Sequence, residues 1–265
     1  MRARGLLLVA AVTATLAIAA CGDDGGTASV QPSANAGVGG EVVVFAAASL
    51  TGSFTQFGKD FEAASPGTTV TFNFAGSSAL ANQINQGAPA DVFASAAPAN
   101  MATVVEAGNA QGRPTTFAKN QLVIAVPKGN PNRVTGVSDL AEAGVKVALC
   151  AEQVPCGAAA KKALSASGVS VTPVTQERDV KAALSKVTLG EVDAALVYRT
   201  DVQAAADDVD GVEFPESAGA INDYPIVVVR DAPNKRGAQA FLDYVRSPEG
   251  RAVLTEAGFE APVTR

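Results

Sequence analysis

Short, continuous apolar runs alternate with stretches of helical periodicity from Glu41 onward, and this alternation limits what the chain can fold into. Val42–Phe45 is rich in β-branched residues, as is typical of a strand buried on both faces. Leu50, Phe54 and Phe57 follow it at the spacing of one helix face. Because the same strand–helix order recurs toward the C-terminus, we predict an α/β fold of two lobes, each with a mostly parallel sheet.

The predicted elements form two series separated by a loop rich in Pro, Gly and Asn. Strands are predicted at Val42–Phe45, Val70–Phe74, Asp91–Ala94, Leu122–Pro127, Val145–Leu149, Val171–Val174, Ala194–Tyr198 and Tyr224–Val229. Helices are predicted to begin near Ser49, at Ser77, at Ala158 and at Val180, with two more in the C-terminal region. We expect Leu122–Pro127 and Tyr224–Val229 to be the two strands that cross between the lobes.

The 265-residue chain contains no histidine, and this absence excludes several kinds of site. A Ser–His–Asp triad, a Cys–His dyad and a histidine-based zinc site cannot form, and the usual proton shuttle at neutral pH is missing. The net charge of −6 argues against nucleic acid as a partner. The composition therefore points away from the common hydrolases, zinc proteins and nucleic-acid-binding proteins.

The N-terminus has the pattern of a bacterial export signal. Arg2 and Arg4 precede an apolar run whose last small residues, directly before Cys21, resemble a lipobox. We predict that residues 1–20 are a removed signal peptide, that Cys21 is lipidated, and that residues 21–40 are a flexible tether. Loss of the two arginines takes the net charge to −8. The protein would then be held at the outer face of the cytoplasmic membrane; the alternative is ordinary cleavage with Cys21 unmodified.

Two further cysteines, Cys150 and Cys156, stand close together in the second half of the chain. Outside the cytoplasm such a pair favours a disulfide over a metal site, since two thiolates without histidine do not complete a zinc tetrad. We therefore predict a Cys150–Cys156 disulfide that fixes the local loop.

Small polar residues follow the first two predicted strands, where each helix begins. Ser49 comes after Val42–Phe45, and Ser77 comes after Val70–Phe74. Ligands of open α/β sheets bind at the carboxyl ends of the strands, and a helix N-terminus there offers free backbone N–H groups to an anion. We interpret Ser49 and Ser77 as donors to an anion; the alternative is that both serines only cap their helices.

The second series of elements offers three more donors at corresponding places. The backbone N–H of Cys156 stands at a helix start, and that of Val180 follows Asp179, a predicted N-cap. Tyr198 ends a strand and can bring its phenol to the same point; the alternative is a half-buried tyrosine with a water-bound hydroxyl. All of these groups donate and none is charged, which suits a fully ionised oxyanion with no proton of its own.

Around these residues the sequence resembles the ModA family, the molybdate-binding proteins of ABC-type molybdate importers. The resemblance covers residues 41–265. Its most specific segments occur in family order and are Val44–Leu50, Phe74–Leu80, Gly87–Phe93, the pair Val197-Tyr198 and the pair Tyr224-Pro225. The resemblance implies the type II periplasmic binding protein fold, with two hinge crossings and a ligand held between the lobes. Lobe 1 would comprise residues 41–119 and 224–265, and lobe 2 residues 120–223.

The resemblance also implies a ligand and its partners. The ligand would be molybdate, and also tungstate, bound by hydroxyl and amide groups of Ser49 and Ser77, the amides of Cys156 and Val180, and the phenol of Tyr198. Molybdenum would be present only as the oxyanion, with no direct bond to protein atoms, no cofactor and no catalytic residue. The expected partners are an ABC permease with its ATPase and, through Cys21, the membrane; the protein would be a monomer.

Three alternatives remain open from the residues. One is a receptor for another tetrahedral oxyanion, sulfate or phosphate, on the same fold. Another is an exported serine hydrolase that uses Ser49 or Ser77, although neither serine has an evident base. The last is a lipid-tethered adhesion or scaffold protein whose cleft stays empty.

Overall fold

Two five-stranded sheets organise the part of the chain that the computed structural model describes, residues 38–262. The predicted signal peptide 1–20, Cys21 and the predicted tether up to residue 37 lie outside the described residues. The first strand begins at Gly40, the last residue of the predicted tether, so the fold starts one residue earlier than predicted. Within 38–262, no helix combines the length and the apolarity needed to cross a membrane.

The first sheet and its helices form what we call the first lobe. Its strands are β1 (Gly40–Ala47), β2 (Thr68–Ala75), β3 (Val92–Ala94), β4 (Ala110–Asn120) and β10 (Asn222–Val229). Its helices are α1 (Thr51–Ala64), α2 (Ser77–Asn85), α3 (Pro98–Glu106), α7 (Lys235–Arg246) and α8 (Pro248–Glu256). The strand order is β2-β1-β3-β10-β4, and β10 runs antiparallel to both of its neighbours.

The second sheet and its helices form the second lobe. Its strands are β5 (Leu122–Pro127), β6 (Val147–Cys150), β7 (Thr175–Glu177), β8 (Ala194–Tyr198) and β9 (Val209–Val212). Its helices are α4 (Pro155–Ser167), α5 (Val180–Thr188) and α6 (Arg199–Ala204). The order β7-β6-β8-β5-β9, with β5 antiparallel to its neighbours, repeats the topology of the first sheet. The prediction of a two-lobed α/β fold with mostly parallel sheets is confirmed.

The helical phenylalanines of the first lobe pack as their spacing predicts. Phe54, Phe57 and Phe61 of α1 are all buried, and the Phe54 ring lies 6.1 Å from that of Phe241 in α7 and 5.9 Å from that of Phe117 in β4. These rings form an apolar layer between one face of the sheet and its helices. Such burial is the main source of stability for a surface helix.

The chain passes between the lobes at two places, and these differ from the prediction. β4 ends at Asn120 and β5 begins at Leu122, while a short 3-10 helix at Pro215–Ala220 leads back to β10. The predicted strands Leu122–Pro127 and Tyr224–Val229 are present, but each belongs to a single sheet. The chain crosses between the lobes in the short segments that precede these two strands. Each strand itself pairs only with strands of its own sheet.

The predicted strand Val171–Val174 is wrong. The strand of this region is β7 at Thr175–Glu177, which pairs in parallel with β6. Pro173 lacks a backbone N–H for the ladder, and Val174 is 60% exposed. The apolar character of the run therefore does not reflect a buried strand.

Candidate functional site

The two lobes face each other across a small cavity formed where strands end and helices begin. The cavity volume is about 10 Å³, which is about the volume needed to hold one water molecule. Its lining is Ala47, Ala48, Ser49, Ala75, Gly76, Ser77 and Ala96 from the first lobe, and Val154, Pro155, Cys156, Asp179, Val180 and Tyr198 from the second. The structure thus brings all five predicted ligand residues to one place.

The two serines of the first lobe lie at helix starts but do not cap them. Ser49 lies in a short 3-10 helix, Ala48–Leu50, that leads into α1. The N-cap residues of this helix and of α2 are Ala47 and Gly76, and neither provides a side-chain capping bond. The Ser49 Oγ is 2.9 Å from the Tyr224 hydroxyl, and the Ser77 Oγ accepts a hydrogen bond of 2.9 Å from the backbone N–H of Ala96. The capping alternative is therefore wrong for both serines. Their hydroxyl groups lie instead against the cavity.

The second lobe contributes two backbone amides from first helical turns. Cys156 is the second residue of α4, which begins at Pro155, and Val180 is the first residue of α5. Amides of a first turn have no acceptor within their own helix. The predicted N-cap Asp179 is confirmed, and its carboxylate accepts the N–H of Ala182 at 2.9 Å rather than that of Val180. The Cys156 and Val180 amides thus remain available at the cavity.

A disulfide joins the end of β6 to the first turn of α4. It links Cys150 and Cys156, whose Cα atoms are 5.7 Å apart. The bond closes the loop that leads directly to the Cys156 amide. Gly157 follows, and any β-carbon there would overlap the carbonyl groups of Ala151 and Cys150. The loop before α4 is therefore held tightly on both sides of the donor.

The Tyr198 hydroxyl is buried against the cavity without a partner. The residue is 1% exposed, and within residues 38–262 its Oη has no hydrogen-bond partner. Burial raises the pKa of Tyr198 well above the ordinary tyrosine value, so the phenol stays protonated. A buried polar group without a partner costs about 1–3 kcal/mol. An acceptor placed in the cavity would remove that cost.

Charged side chains near the cavity are paired with each other. No lysine or arginine is among its lining residues, and the one acidic residue is Asp179, the N-cap of α5. Lys181 lies 3.0 Å from Asp201, a fully buried carboxylate that also accepts the Tyr198 N–H at 3.1 Å. Burial raises the pKa of Asp201, and Lys181 opposes this shift. The site therefore presents neutral donors rather than a cationic side chain.

A larger opening of about 480 Å³ adjoins the site at Ser49. Its prominent polar side chains already have partners in the protein. Asp60 accepts hydrogen bonds from Gln56 and Tyr244, Lys181 pairs with Asp201, and Gln203 donates to the Glu256 carbonyl. This opening lacks the unpartnered buried donor that marks the small cavity.

Two features of the site were not predicted from the sequence. Gly76 lies so close to the Arg178 carbonyl oxygen of the second lobe that a β-carbon there would overlap it. Tyr224 and Asn120 extend a chain of hydrogen bonds from Ser49. The Tyr224 Oη is 2.9 Å from the Ser49 Oγ, and the Asn120 Nδ2 is 3.5 Å from the Tyr224 Oη. Gly76 lies in a turn of small residues directly before Ser77. This run of small residues is the one feature of the sequence that could have indicated a close approach there. No local signal relates Tyr224 to Ser49.

The fold and the donor-lined cleft define a class of two-lobed solute-binding proteins. The chain belongs to the bacterial extracellular solute-binding protein family, whose model matches residues 42–260. It is 45% identical over 221 residues to the molybdate-binding protein ModA of Mycobacterium tuberculosis strain H37Rv, covering 83% of this chain and 85% of that protein. It is 33% identical over 262 residues to the putative ABC transporter substrate-binding lipoprotein YvgL of Bacillus subtilis strain 168, covering 96% and 97%.

A solved structure shows the same fold. The Azotobacter vinelandii periplasmic molybdate-binding protein superposes with a TM-score of 0.74 at 23% identity, covering 83% of this chain and 99% of that one.

Proposed function

We propose that this protein captures molybdate, and also tungstate, in the cavity between its lobes and delivers it to an ABC permease. The observation that carries the proposal is the buried, unpartnered Tyr198 hydroxyl in a cavity whose other available groups are hydroxyl and amide donors. The name of the 45% identical relative supports molybdate as the ligand. We propose that Ser49, Ser77, Cys156, Val180 and Tyr198 bind the ion.

The donor set explains how such a site holds a dianion without a cation. Ser49 and Ser77 approach from the first lobe, while the other three donors approach from the second. Each hydrogen bond to a charged oxygen contributes about 1.5–3 kcal/mol, so several together reach submicromolar affinity. Because the donors come from both lobes, the ion stabilises their closed arrangement. Helix N-termini add a partial positive charge directed at the ion.

Selection against sulfate would depend on cavity size. Molybdate and sulfate are dianions of the same shape, and the bonds of molybdate are longer. A receptor for sulfate or phosphate is the alternative on this fold. A competition experiment separates the two, since specificity is a difference of affinities.

The remaining parts of the proposal concern the envelope of the cell. We propose that residues 1–20 are a signal peptide, that Cys21 carries the lipid anchor, and that the protein acts as a monomer without a cofactor or an enzymatic activity. The pattern before Cys21 supports the anchor, as does the name of the relative YvgL. We propose lobe bounds close to 41–119 plus 224–265 and 120–223; the strands of the first sheet extend these by one or two residues, since β1 begins at Gly40, β4 ends at Asn120 and β10 begins at Asn222.

The decisive experiment is a thermal-shift panel with molybdate, tungstate, sulfate and phosphate, followed by titration calorimetry. A ligand at about a thousandfold excess over its Kd stabilises a protein by about 4 kcal/mol. We expect molybdate and tungstate to raise the Tm strongly and sulfate to raise it little. Equal affinity for sulfate would favour the alternative receptor, and no shift with any oxyanion would favour the scaffold reading. Labelling of Ser49 or Ser77 by a fluorophosphonate would favour a hydrolase.

Replacing Tyr198 by Phe should weaken molybdate binding by about 1–2 kcal/mol, which is about 5- to 30-fold. The substitution keeps the buried ring and removes only the hydroxyl. Because this hydroxyl has no hydrogen-bond partner among residues 38–262, the Tm without ligand should not fall. Calorimetry and thermal unfolding together measure both effects. Unchanged affinity would remove Tyr198 from the site.

Molybdate affinity should stay within about twofold from about pH 6 to pH 9. The chain has no histidine, and burial raises the pKa of both Tyr198 and Tyr224, so both phenols remain protonated donors as the pH rises. Protonation of the nearby Asp201 at lower pH would remove a negative charge and therefore strengthen anion binding. Calorimetry across this range checks the prediction. A tenfold loss within it would reveal a titrating ligand group outside the proposed set.

A further inference from the structure

A chain of hydrogen bonds runs behind Ser49, on the side away from the cavity. The Tyr224 Oη is 2.9 Å from the Ser49 Oγ, and the Asn120 Nδ2 is 3.5 Å from the Tyr224 Oη. The same Asn120 amide donates to the Thr200 Oγ1 at 2.8 Å. Asn120, Tyr224 and Ser49 are all buried, so water does not compete for these bonds. The chain links a proposed ligand donor to the segment where the lobes join.

The orientation of the Asn120 amide at the far end of this chain is fixed by the backbone, and it favours one direction for the protons. The backbone N–H of Gln121 donates to the Asn120 Oδ1 at 3.0 Å, and a backbone N–H can only donate. The oxygen of the Asn120 side chain therefore faces Gln121, and its NH₂ group faces Tyr224 as a donor. The Tyr224 oxygen accepts from Asn120, and donation of its own proton to Ser49 then gives the Tyr224 hydroxyl one bond accepted and one donated. The Ser49 oxygen accepts that proton, so the Ser49 O–H is left to point elsewhere.

Ser77 also accepts a hydrogen bond, but from a backbone N–H rather than from a side chain. Its Oγ accepts the backbone N–H of Ala96, which leaves its own proton for another acceptor. Each serine of the site thus receives a hydrogen bond from behind and is left with a proton to donate. For Ser49 the group behind is a phenol, and a substitution can remove it.

We propose that Tyr224 is a positioning residue that sets ligand specificity by holding Ser49 as a donor. The proposal rests on the proposed function, because it concerns the oxyanion that Ser49 binds. Tyr224 does not line the cavity, but its hydroxyl lies 2.9 Å from the Oγ of Ser49, which does. A Ser49 hydroxyl that cannot accept disfavours any anion that carries a hydroxyl group of its own, since the proton of that hydroxyl finds no acceptor. Hydrogen phosphate is such an anion, whereas molybdate and sulfate are not.

The test is Tyr224→Phe, measured with molybdate, sulfate and hydrogen phosphate at about pH 8, above the second pKa of a phosphate group. All three ions are then dianions, so a uniform electrostatic change cancels from the affinity ratios. The variant keeps the ring that packs edge-on against Phe117, Phe259 and Tyr198. We expect the ratio of molybdate to hydrogen phosphate affinity to fall about tenfold, the effect of about one hydrogen bond. The ratio of molybdate to sulfate affinity should not change.

Two further variants separate this role from a packing role. In a Ser49→Ala background, Tyr224→Phe should leave the molybdate to hydrogen phosphate ratio unchanged, because the group through which Tyr224 acts is gone. Asn120→Asp replaces a donor by an acceptor and draws the Tyr224 proton away from Ser49. The same ratio should therefore fall in that variant too, which provides a second reading if Tyr224→Phe folds poorly.

Several results would overturn the proposal. One is a folded Tyr224→Phe protein with an unchanged molybdate to hydrogen phosphate ratio. Another is an equal fall of the molybdate to sulfate ratio, which would indicate an altered cavity rather than an altered donor. The proposal would also be contradicted if Tyr224→Phe lowered the molybdate to hydrogen phosphate ratio by the same factor in the Ser49→Ala background as in the wild-type protein. Failure of the proposed function has a separate signature, since the wild-type protein itself would then not prefer molybdate to sulfate.

Discussion

Replacing Gly76 by Ala is expected to weaken molybdate binding by about 100-fold or more. The backbone at Gly76 has φ −60° and ψ 135°, which alanine adopts freely. A β-carbon there, however, would overlap the Arg178 carbonyl oxygen and would contact Val154, both in the second lobe. The first lobe tolerates the methyl group, but the second lobe cannot approach it as closely.

The expected loss follows from the position of Arg178 in the chain. It directly precedes Asp179, the N-cap of α5, so moving its carbonyl would move the Val180 amide away from the proposed ion position. Loss of the proposed hydrogen bonds from Cys156 and Val180 would cost about 3 kcal/mol or more, and about 2.7 kcal/mol already corresponds to 100-fold. Calorimetry measures this loss, and the Tm without ligand should remain close to that of the wild-type protein.

Gly52→Ala is the matched control. Gly52 lies in α1, and a β-carbon there meets nothing within 4 Å. The substitution should leave affinity unchanged and stabilise the helix by about 1 kcal/mol. Wild-type affinity in Gly76→Ala would show that ligand binding does not require the close approach of the two lobes at this point.

The strands that could be predicted are those whose own residues are apolar. β8 was predicted with its observed bounds because Ala194–Tyr198 is a continuous run of apolar and aromatic residues. All five are buried in the structure. β4 was not predicted, since Ala110–Asn120 contains Gly112, Pro114 and several polar residues. It forms because β10 pairs with it along most of its length. Such a strand depends on a partner more than 100 residues away, and no local pattern shows it.

The candidate site divides in the same way. The residues proposed as donors could be placed together because each stands where a strand ends and a helix begins, and because the resemblance to a known family implied them. The contact of Tyr224 with Ser49 joins residues 175 positions apart, and that of Gly76 with Arg178 joins two lobes. Both contacts exist only once the two sheets are assembled. The sequence therefore indicates which residues line the cavity, whereas the structure is needed to see what holds them in place.

Replacing Val180 by Pro should abolish measurable high-affinity molybdate binding, with a loss of about 100- to 1000-fold. Most proposed donors of the second lobe are backbone amides, which ordinary side-chain substitutions leave intact. Proline removes the amide proton and is well tolerated at the first position of a helix, which is where Val180 stands in α5. The preceding residue, Asp179, has φ −159° and ψ 169°, in the extended region that a following proline favours.

The magnitude combines a lost bond with a steric effect. The hydrogen bond to a charged oxygen contributes about 1.5–3 kcal/mol, and the proline ring also places a carbon where the amide proton pointed. Val180→Ala is the control, because it keeps the amide and removes part of a buried side chain. We expect the alanine variant to lose stability but retain molybdate affinity, and the proline variant to lose affinity with a smaller loss of stability. Calorimetry with thermal unfolding of both variants distinguishes these patterns. If Val180→Pro bound molybdate as tightly as Val180→Ala, the α5 N-terminus would not hold the anion, and the affinity would have to come from the other donors.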